Sequence, residues 1–212
     1  KGATGVIPNL NSWNHIVMQR ESSDYESIYL NGSRIIYQSG PNRLGMLDGQ
    51  ILAKFMIGAV QRQNFTGYIS NFRLVTGAAL YSGATLTVPT SELTTTVASG
   101  TVQLLMSATS SASMLTDSVS NRVFTTAATK TANPSFTSGT YSYSASSPFT
   151  AALPGSVAFT RTASPNNQLL KATVAAPATD SVTYEWWFKY TSANSNLGDM
   201  GMLETRSNNG VN

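Results

Sequence analysis

The sequence predicts an all-β fold, and three features carry that prediction. Helical spacing of apolar residues is nearly absent. In its place, runs of roughly four to eight residues rich in Val, Ile, Thr, Tyr and Phe recur between Gly, Asn, Ser and Pro, as strands do between turns. Two of the earliest runs flank Asn31-Gly32, a dipeptide whose tolerance of positive φ makes it a strong signal for a tight hairpin.

The elements follow in order. His15 to Arg20 alternates, with Ile16 and Met18 on one face and His15, Val17 and Gln19 on the other. Ser27 to Leu30 continues the pattern, with Ile28 and Leu30 on one side of the pleat. Ile51 to Val60 and Thr66 to Val75 read as further strands linked by the polar stretch QRQN. Beyond Val75, TGAALYSGATLTVPTSELTTT carries Pro89 and many Gly, Ser and Thr, and reads as an extended segment laid across a surface. Thr101 to Met106 is a compact apolar strand. Ser107 to Tyr143 is dominated by Ser, Thr and Ala, with apolar beats at Met114-Leu115, Val123-Phe124 and Phe136 that are spaced like short strands. Gly155 to Arg161, Gln168 to Val174 and Ser181 to Tyr190 form a second organised stretch, and GMLETRSNNG adds a strand that runs into a turn.

Composition narrows the function classes. Charged residues make up only 11% of the chain, less than half the usual share, and hydroxyl and amide side chains fill the difference. The net charge of +3 is spread thinly, so no basic stripe for tracking phosphates exists and nucleic acid is not an expected partner. With no cysteine, thiol catalysis, thiolate-bound metals and disulfides are all excluded. No apolar stretch approaches the ~20 residues of a membrane-spanning helix, so membrane insertion is not expected. The chain opens on KGATGVIPNL rather than on Met, and reads as a soluble processed product or a window from something longer.

SWNHIVMQR with IYLNGSRI, the stretch IGAVQRQNFTGYISNFRLV, and TVPTSELTTT with TVQLL together resemble the laminin-G-like branch of the concanavalin A-like lectin and glucanase superfamily. The variant they resemble most occurs in marine bacteriophage structural proteins and in giant repetitive bacterial surface proteins. The residues that carry the resemblance are Trp13, His15 and Ile16; Tyr29, Leu30, Asn31 and Gly32; and Gly67, Ile69, Phe72 and Arg73. All fall in the second half of a family domain, whereas GSVAFTR and YEWWFKY resemble the first half. The resemblance therefore implies a concanavalin A-like jelly-roll β-sandwich whose halves occur in permuted order. Residues 1–106 would be the late-strand half, 107–150 a Ser/Thr-rich linker, and 151–212 the early-strand half. The two halves close either on each other or on those of neighbouring copies. Exchange between chains is the favoured expectation, because an open half-sheet invites pairing and the linker is long.

Each candidate site residue also has a plain structural role. Glu21, Asp24 and Glu26 are the nearest approach to the paired carboxylates of glycoside hydrolysis, but they read as a solvated turn. Asp180 and Glu185 stand singly, and His15 is the only histidine, so no catalytic residue is assigned and no enzyme is expected. His15 is expected half-buried beside Trp13. Structural calcium, which the resemblance allows, would fall to Asn42 and Asp48 or to Asn194, Asn196 and Asp199, none at a recognisable ligand spacing. No other cofactor is implied. Trp186 and Trp187 must face opposite sides of a strand; packing is the plainer role, and stacking on a glycan or partner, with Tyr141 and Tyr143 contributing, is the functional one. Arg73 and Arg206 are surface side chains or buried partners of Glu185 or Glu204, and both readings stay open. Asn31 and Asn64 match the glycosylation sequon, though modification is not expected in a phage or bacterial protein. Together these readings point to a non-enzymatic extracellular module. It would belong to a virion surface as a tail fibre, head fibre or decoration protein, or alternatively to a bacterial filament or adhesin. Its partners would be other copies of the chain, neighbouring virion proteins and cell-surface glycans.

Overall fold

The computed structural model describes residues 7–22, 25–39, 54–57, 59–60, 63–126, 141–150, 154–160, 170–172, 181–191 and 203–206. The protein is all-β, and the described residues contain no helix. Most of the order lies in one antiparallel sheet of 8 strands. Its strands are β1 (Asn14–Ser22), β2 (Tyr25–Leu30), β3 (Ser33–Ser39), β7 (Gly67–Thr76), β8 (Thr101–Met106), β10 (Tyr141–Ser144), β11 (Ser156–Phe159) and β13 (Val182–Tyr190). The order across the sheet is β10-β11-β7-β13-β1-β2-β3, with β8 pairing the far part of β7. A second sheet has the order β14-β4-β12-β9, from β4 (Lys54–Ile57), β9 (Thr125–Thr126), β12 (Leu170–Ala172) and β14 (Leu203–Arg206). Of the link QRQN, Gln63–Asn64 forms β6, which pairs with β5 (Ala59–Val60) in a small ribbon.

The position of β13 answers how the two halves of the chain meet. It lies between β1 and β7, pairing Ile16 with Trp186 on one side and Leu74 with Tyr184 on the other. The late and early parts of the chain thus pair with each other within this single chain. The reason is register. Asn14 to Arg20 pairs residue by residue with Val182 to Phe188, so β13 satisfies the backbone groups of both neighbours.

Alternation along β13 assigns the two faces of the sheet. Val182, Tyr184, Trp186, Phe188 and Tyr190 enter one apolar cluster with Leu30, Ile69, Phe72, Leu74, Leu104, Val157 and Phe159. Thr183, Glu185 and Trp187 point the other way, beside Gln19, Val17 and His15 of β1. A bulge in β7 keeps both faces in phase. Arg73 pairs with Glu185 but Ser70 with Trp187, so Asn71, at φ 53°, takes up the extra residue. This is why Ile69 and Phe72, three positions apart, share a face.

Some expected elements shift. Ile16, Leu30, Ile69 and Phe72 share one cluster as the alternation predicts, whereas Trp13 packs on the opposite face with Trp187 and Val75. The Asn31-Gly32 turn forms as expected, with φ of 48° and 87°. A Cβ on Gly32 would come within 2.9 Å of the Leu86 carbonyl oxygen, so close backbone approach adds to the demand for glycine. The stretch read as a linker contributes to the sheet. Met114 and Leu115 pack on the main cluster, Phe124 is buried, and Tyr141–Ser144 is a strand. Asp117 organises residues 116–120 by accepting N–H bonds from Leu105 (2.9 Å), Val119 (3.0 Å) and Ser120 (3.1 Å). Phe136 lies outside the described residues.

Candidate functional site

The segment 77–100 leaves β7 at Thr76 and rejoins the sheet at Thr101, its direct partner in the β7–β8 register. Between these ends it has no named strand, and it crosses the face that carries Thr183, Glu185 and Trp187. Long irregular loops inside compact domains are uncommon and usually functional. What fixes this one is a set of side chains from the sheet that bond its backbone. Gln19 donates from Nε2 to the Tyr81 carbonyl at 2.6 Å and accepts the Tyr81 N–H at 3.2 Å. The Thr183 hydroxyl donates to the Ala78 carbonyl at 3.0 Å and accepts the Leu80 N–H at 3.1 Å. Tyr29 donates to the Gly83 carbonyl at 3.0 Å, and the Asn71 Oδ1 accepts the Leu93 N–H. Leu80, Val88, Leu93 and Val97 add apolar anchors against Trp13 and Trp187.

Beneath the segment sits Glu185, with 0% of its surface exposed. Its Oε1 accepts from His15 Nε2 at 2.9 Å and from the Tyr81 hydroxyl at 2.6 Å, and its Oε2 accepts from Arg73 Nη2 at 2.6 Å. A carboxylate oxygen only accepts, so the Nε2 of His15 carries a proton. Arg73 also donates from Nη1 to the Thr94 carbonyl at 3.2 Å. Carboxylate, imidazole, guanidinium and phenol thus come from β13, β1, β7 and the crossing segment. Burial alone would raise the Glu185 carboxyl; the His15 hydrogen bond, the Arg73 charge and the Tyr81 hydrogen bond outweigh it and hold it below its ordinary value. The Tyr81 phenol moves up, through burial first and then the adjacent Glu185 charge. Chemically this is a neutralised, donor-filled anion site that ties the segment to the sheet.

No family model matches this chain, and no curated protein or solved structure matches it either. The site is therefore read from its own geometry.

The expected site residues are distributed differently. Trp186 and Trp187 do face opposite sides, but both are buried, at 1% and 4% exposure. Trp186 packs against Phe72 in a tilted pair with ring centroids 5.5 Å apart, and Trp187 lies between His15 at 4.5 Å and Phe149 at 4.9 Å. Neither indole offers an open face in this structure. Tyr141 and Tyr143 are half-buried against the main cluster. His15 is fully buried, not half-buried, and its ring partner is Trp187 rather than Trp13. Pairing of His15 with Trp187 across β1 and β13 is the physical reason. Of the two readings kept for Arg73, the buried pairing with Glu185 is the one formed.

Glu21 and Glu26 are not a solvated turn. Glu21 belongs to β1, where its Oε1 accepts from the Ser27 hydroxyl at 3.2 Å and the Gln19 amide at 3.4 Å. Glu26 is buried on β2 opposite Arg20. Adjacent strand positions face opposite sides, so Glu26 lies on the other face from Ser27, and the two carboxylates are separated by the sheet. Asp24, Asn42, Asp48, Asp180, Asn194, Asn196 and Asp199 lie outside the described residues, as do the side chains of Asn64, Glu204 and Arg206. Asn31 uses its side chain to hold the hairpin, accepting the His15 N–H and donating to Asn14 Oδ1, each at 2.9 Å.

Sequence reasoning missed the link between His15 and Glu185 and the roles of Gln19, Thr183 and Tyr81. All depend on β13 lying beside β1, a contact between residues far apart in the chain. The available signal was a set of polar residues, His15, Gln19, Thr183 and Glu185, at alternate positions of otherwise apolar strands.

Proposed function

We propose that this chain is a non-enzymatic structural or adhesive module, built as a concanavalin A-like jelly-roll β-sandwich and carried on the surface of a virus particle or otherwise outside the cell. The second sheet would then cover the large apolar face of the first. One observation supports the reading above others: the interior carboxylate most like a catalytic group, Glu185, has both oxygens occupied by donors and is roofed by an ordered segment. A general acid or base must reach substrate, whereas a tethered, neutralised carboxylate rigidifies. The resemblance to phage structural proteins supplies the virion setting, and the low-charge, hydroxyl-rich composition agrees with it. Fold alone does not fix function, so the test is direct. Gold-labelled antibody against this chain should decorate the tail, fibre or capsid of native particles in electron micrographs. Label found only in the soluble host fraction would defeat the virion reading. Release of reducing ends from laminarin, agarose, chitin or peptidoglycan would defeat the non-enzymatic one.

A further inference from the structure

Among the described residues, the strands that residues 7–126 give to the large sheet form two pieces, β1-β2-β3 and β7-β8, and no ladder joins one piece to the other. β13 fills the one-strand gap between them, pairing with β1 on one side and β7 on the other. The crossing segment roofs that gap, because it is bonded to β1 through Gln19, to β2 through Tyr29 and to the β7 bulge through Asn71. The part of the chain that supplies β13 has little pairing of its own. Within residues 141–206 the described ladder is β10–β11 alone, while β11, β12, β13 and β14 each pair with a strand from residues 7–126. The charges divide in the same way. The donors in the gap, His15 Nε2, Arg73 Nη2 and the Tyr81 hydroxyl, belong to the first part, and the acceptor they share, Glu185, belongs to the second. Without β13 the gap would hold three donors lacking their common acceptor, so it selects a strand that brings a carboxylate at that register.

We propose that this gap is a strand-receiving site whose partner is a second copy of the chain. Two copies exchange residues 141–206, so that β13 of each lies between β1 and β7 of the other. The exchange rests on the structural reading above, that of a module present in many copies, and it names the partner of that module. The site recognises the sequence of the arriving strand, not its covalent connection. Tyr184, Trp186 and Phe188 meet one face, Glu185 and Trp187 the other, and the strand of a second copy brings the same set. Every ladder and bond across the gap recurs in an exchanged pair, which therefore equals the closed monomer in contacts. Reach allows it. The two parts are joined by residues 127–140, and ~14 residues span at most about 50 Å, well beyond the ~17 Å radius of gyration of a folded chain of this length. What favours the chain's own strand is proximity, an effective concentration on the order of mM. Copies held side by side on a particle or in a filament remove that advantage.

Engineered thiols separate exchange from self-closure, since the parent has no cysteine. Tyr68 of β7 and Lys189 of β13 are direct antiparallel partners and both half-buried. Such partners have Cα atoms about 4.5–5.5 Å apart, a separation that a disulfide spans. Tyr68→Cys and Lys189→Cys chains are unfolded together in urea, refolded at about 1 mM, where exchange competes with self-closure, and oxidised. A disulfide-linked species of two chains should then hold roughly half of the protein, the share of mixed pairs in random exchange. Either variant alone should form roughly tenfold less of it, because its thiols then face no partner thiol. The double variant should run as two linked chains on a non-reducing gel. Light scattering needs no substitution, and the parent refolded in the same way should read twice the monomer mass. A double variant that links only to itself, or a parent that stays monomeric, would overturn the exchange; gold-labelled virions would still support the structural reading. A linked species formed as readily by one variant alone would mean random oxidation and would overturn it too. Exchange observed without gold label on virions would support the strand site and remove the virion setting.

Discussion

Replacing Glu185 with Gln should be the most damaging near-isosteric change in the described part of the chain. The side chain keeps its volume, so packing changes little and the effect is electrostatic. Arg73, whose side chain is 8% exposed, would lose the anion 2.6 Å from its Nη2. The amide has one acceptor oxygen where the carboxylate has two, so His15, Tyr81 and Arg73 would compete for it, and its NH2 would face at least one donor. Removing one member of a buried pair costs about 3–5 kcal/mol, because the other charge remains buried. With a urea slope of about 2–3 kcal/mol/M for a chain of this size, the midpoint should fall by about 1–2.5 M. Tryptophan fluorescence is a suitable reporter, since the Trp187 ring lies 4.5 Å from that of His15 within this cluster. A thermodynamic cycle with Arg73→Gln should return a coupling of about 1–3 kcal/mol. A single-mutant loss below about 1 kcal/mol, or no coupling, would mean that water screens the pair and that the segment is held by its backbone bonds alone.

The pH dependence has two limbs. Glu185 has a lowered folded value, so its stabilisation is complete above the unfolded carboxyl pKa and is lost as pH falls through the folded one; acid unfolding should begin only below about pH 4 and shift upward in Arg73→Gln. Tyr81 and Tyr184 have raised folded values, so their contribution is complete below the unfolded phenol value of about 10 and is lost as pH rises beyond it; Tyr81→Phe should flatten part of that limb in pH-dependent melting. Leu30→Ala, in the main cluster, should cost about 2–5 kcal/mol by urea unfolding, and a loss under about 0.5 kcal/mol would show that the position is not core. Gly67→Ala should be strongly destabilising in a thermal melt, because φ is 150° there and a Cβ would meet the Lys189 carbonyl; a melting point within about 2 °C of the parent would contradict that steric conflict.

What could be read from the sequence was local, and what escaped it was pairing between distant residues. The Asn31-Gly32 turn, the alternation through Ile16 and Leu30 and the opposite facing of Trp186 and Trp187 depend only on neighbouring residues, and all formed as expected. The Tyr25–Tyr37 ring pair was hidden because its two rings come from different strands and meet only through the β2–β3 register. The same distinction explains the buried tryptophans. In the sequence, Trp186 and Trp187 show only that they face opposite sides of a strand. Segment 77–100 covers one face of β13 and the main apolar cluster packs on the other, so both indoles become core.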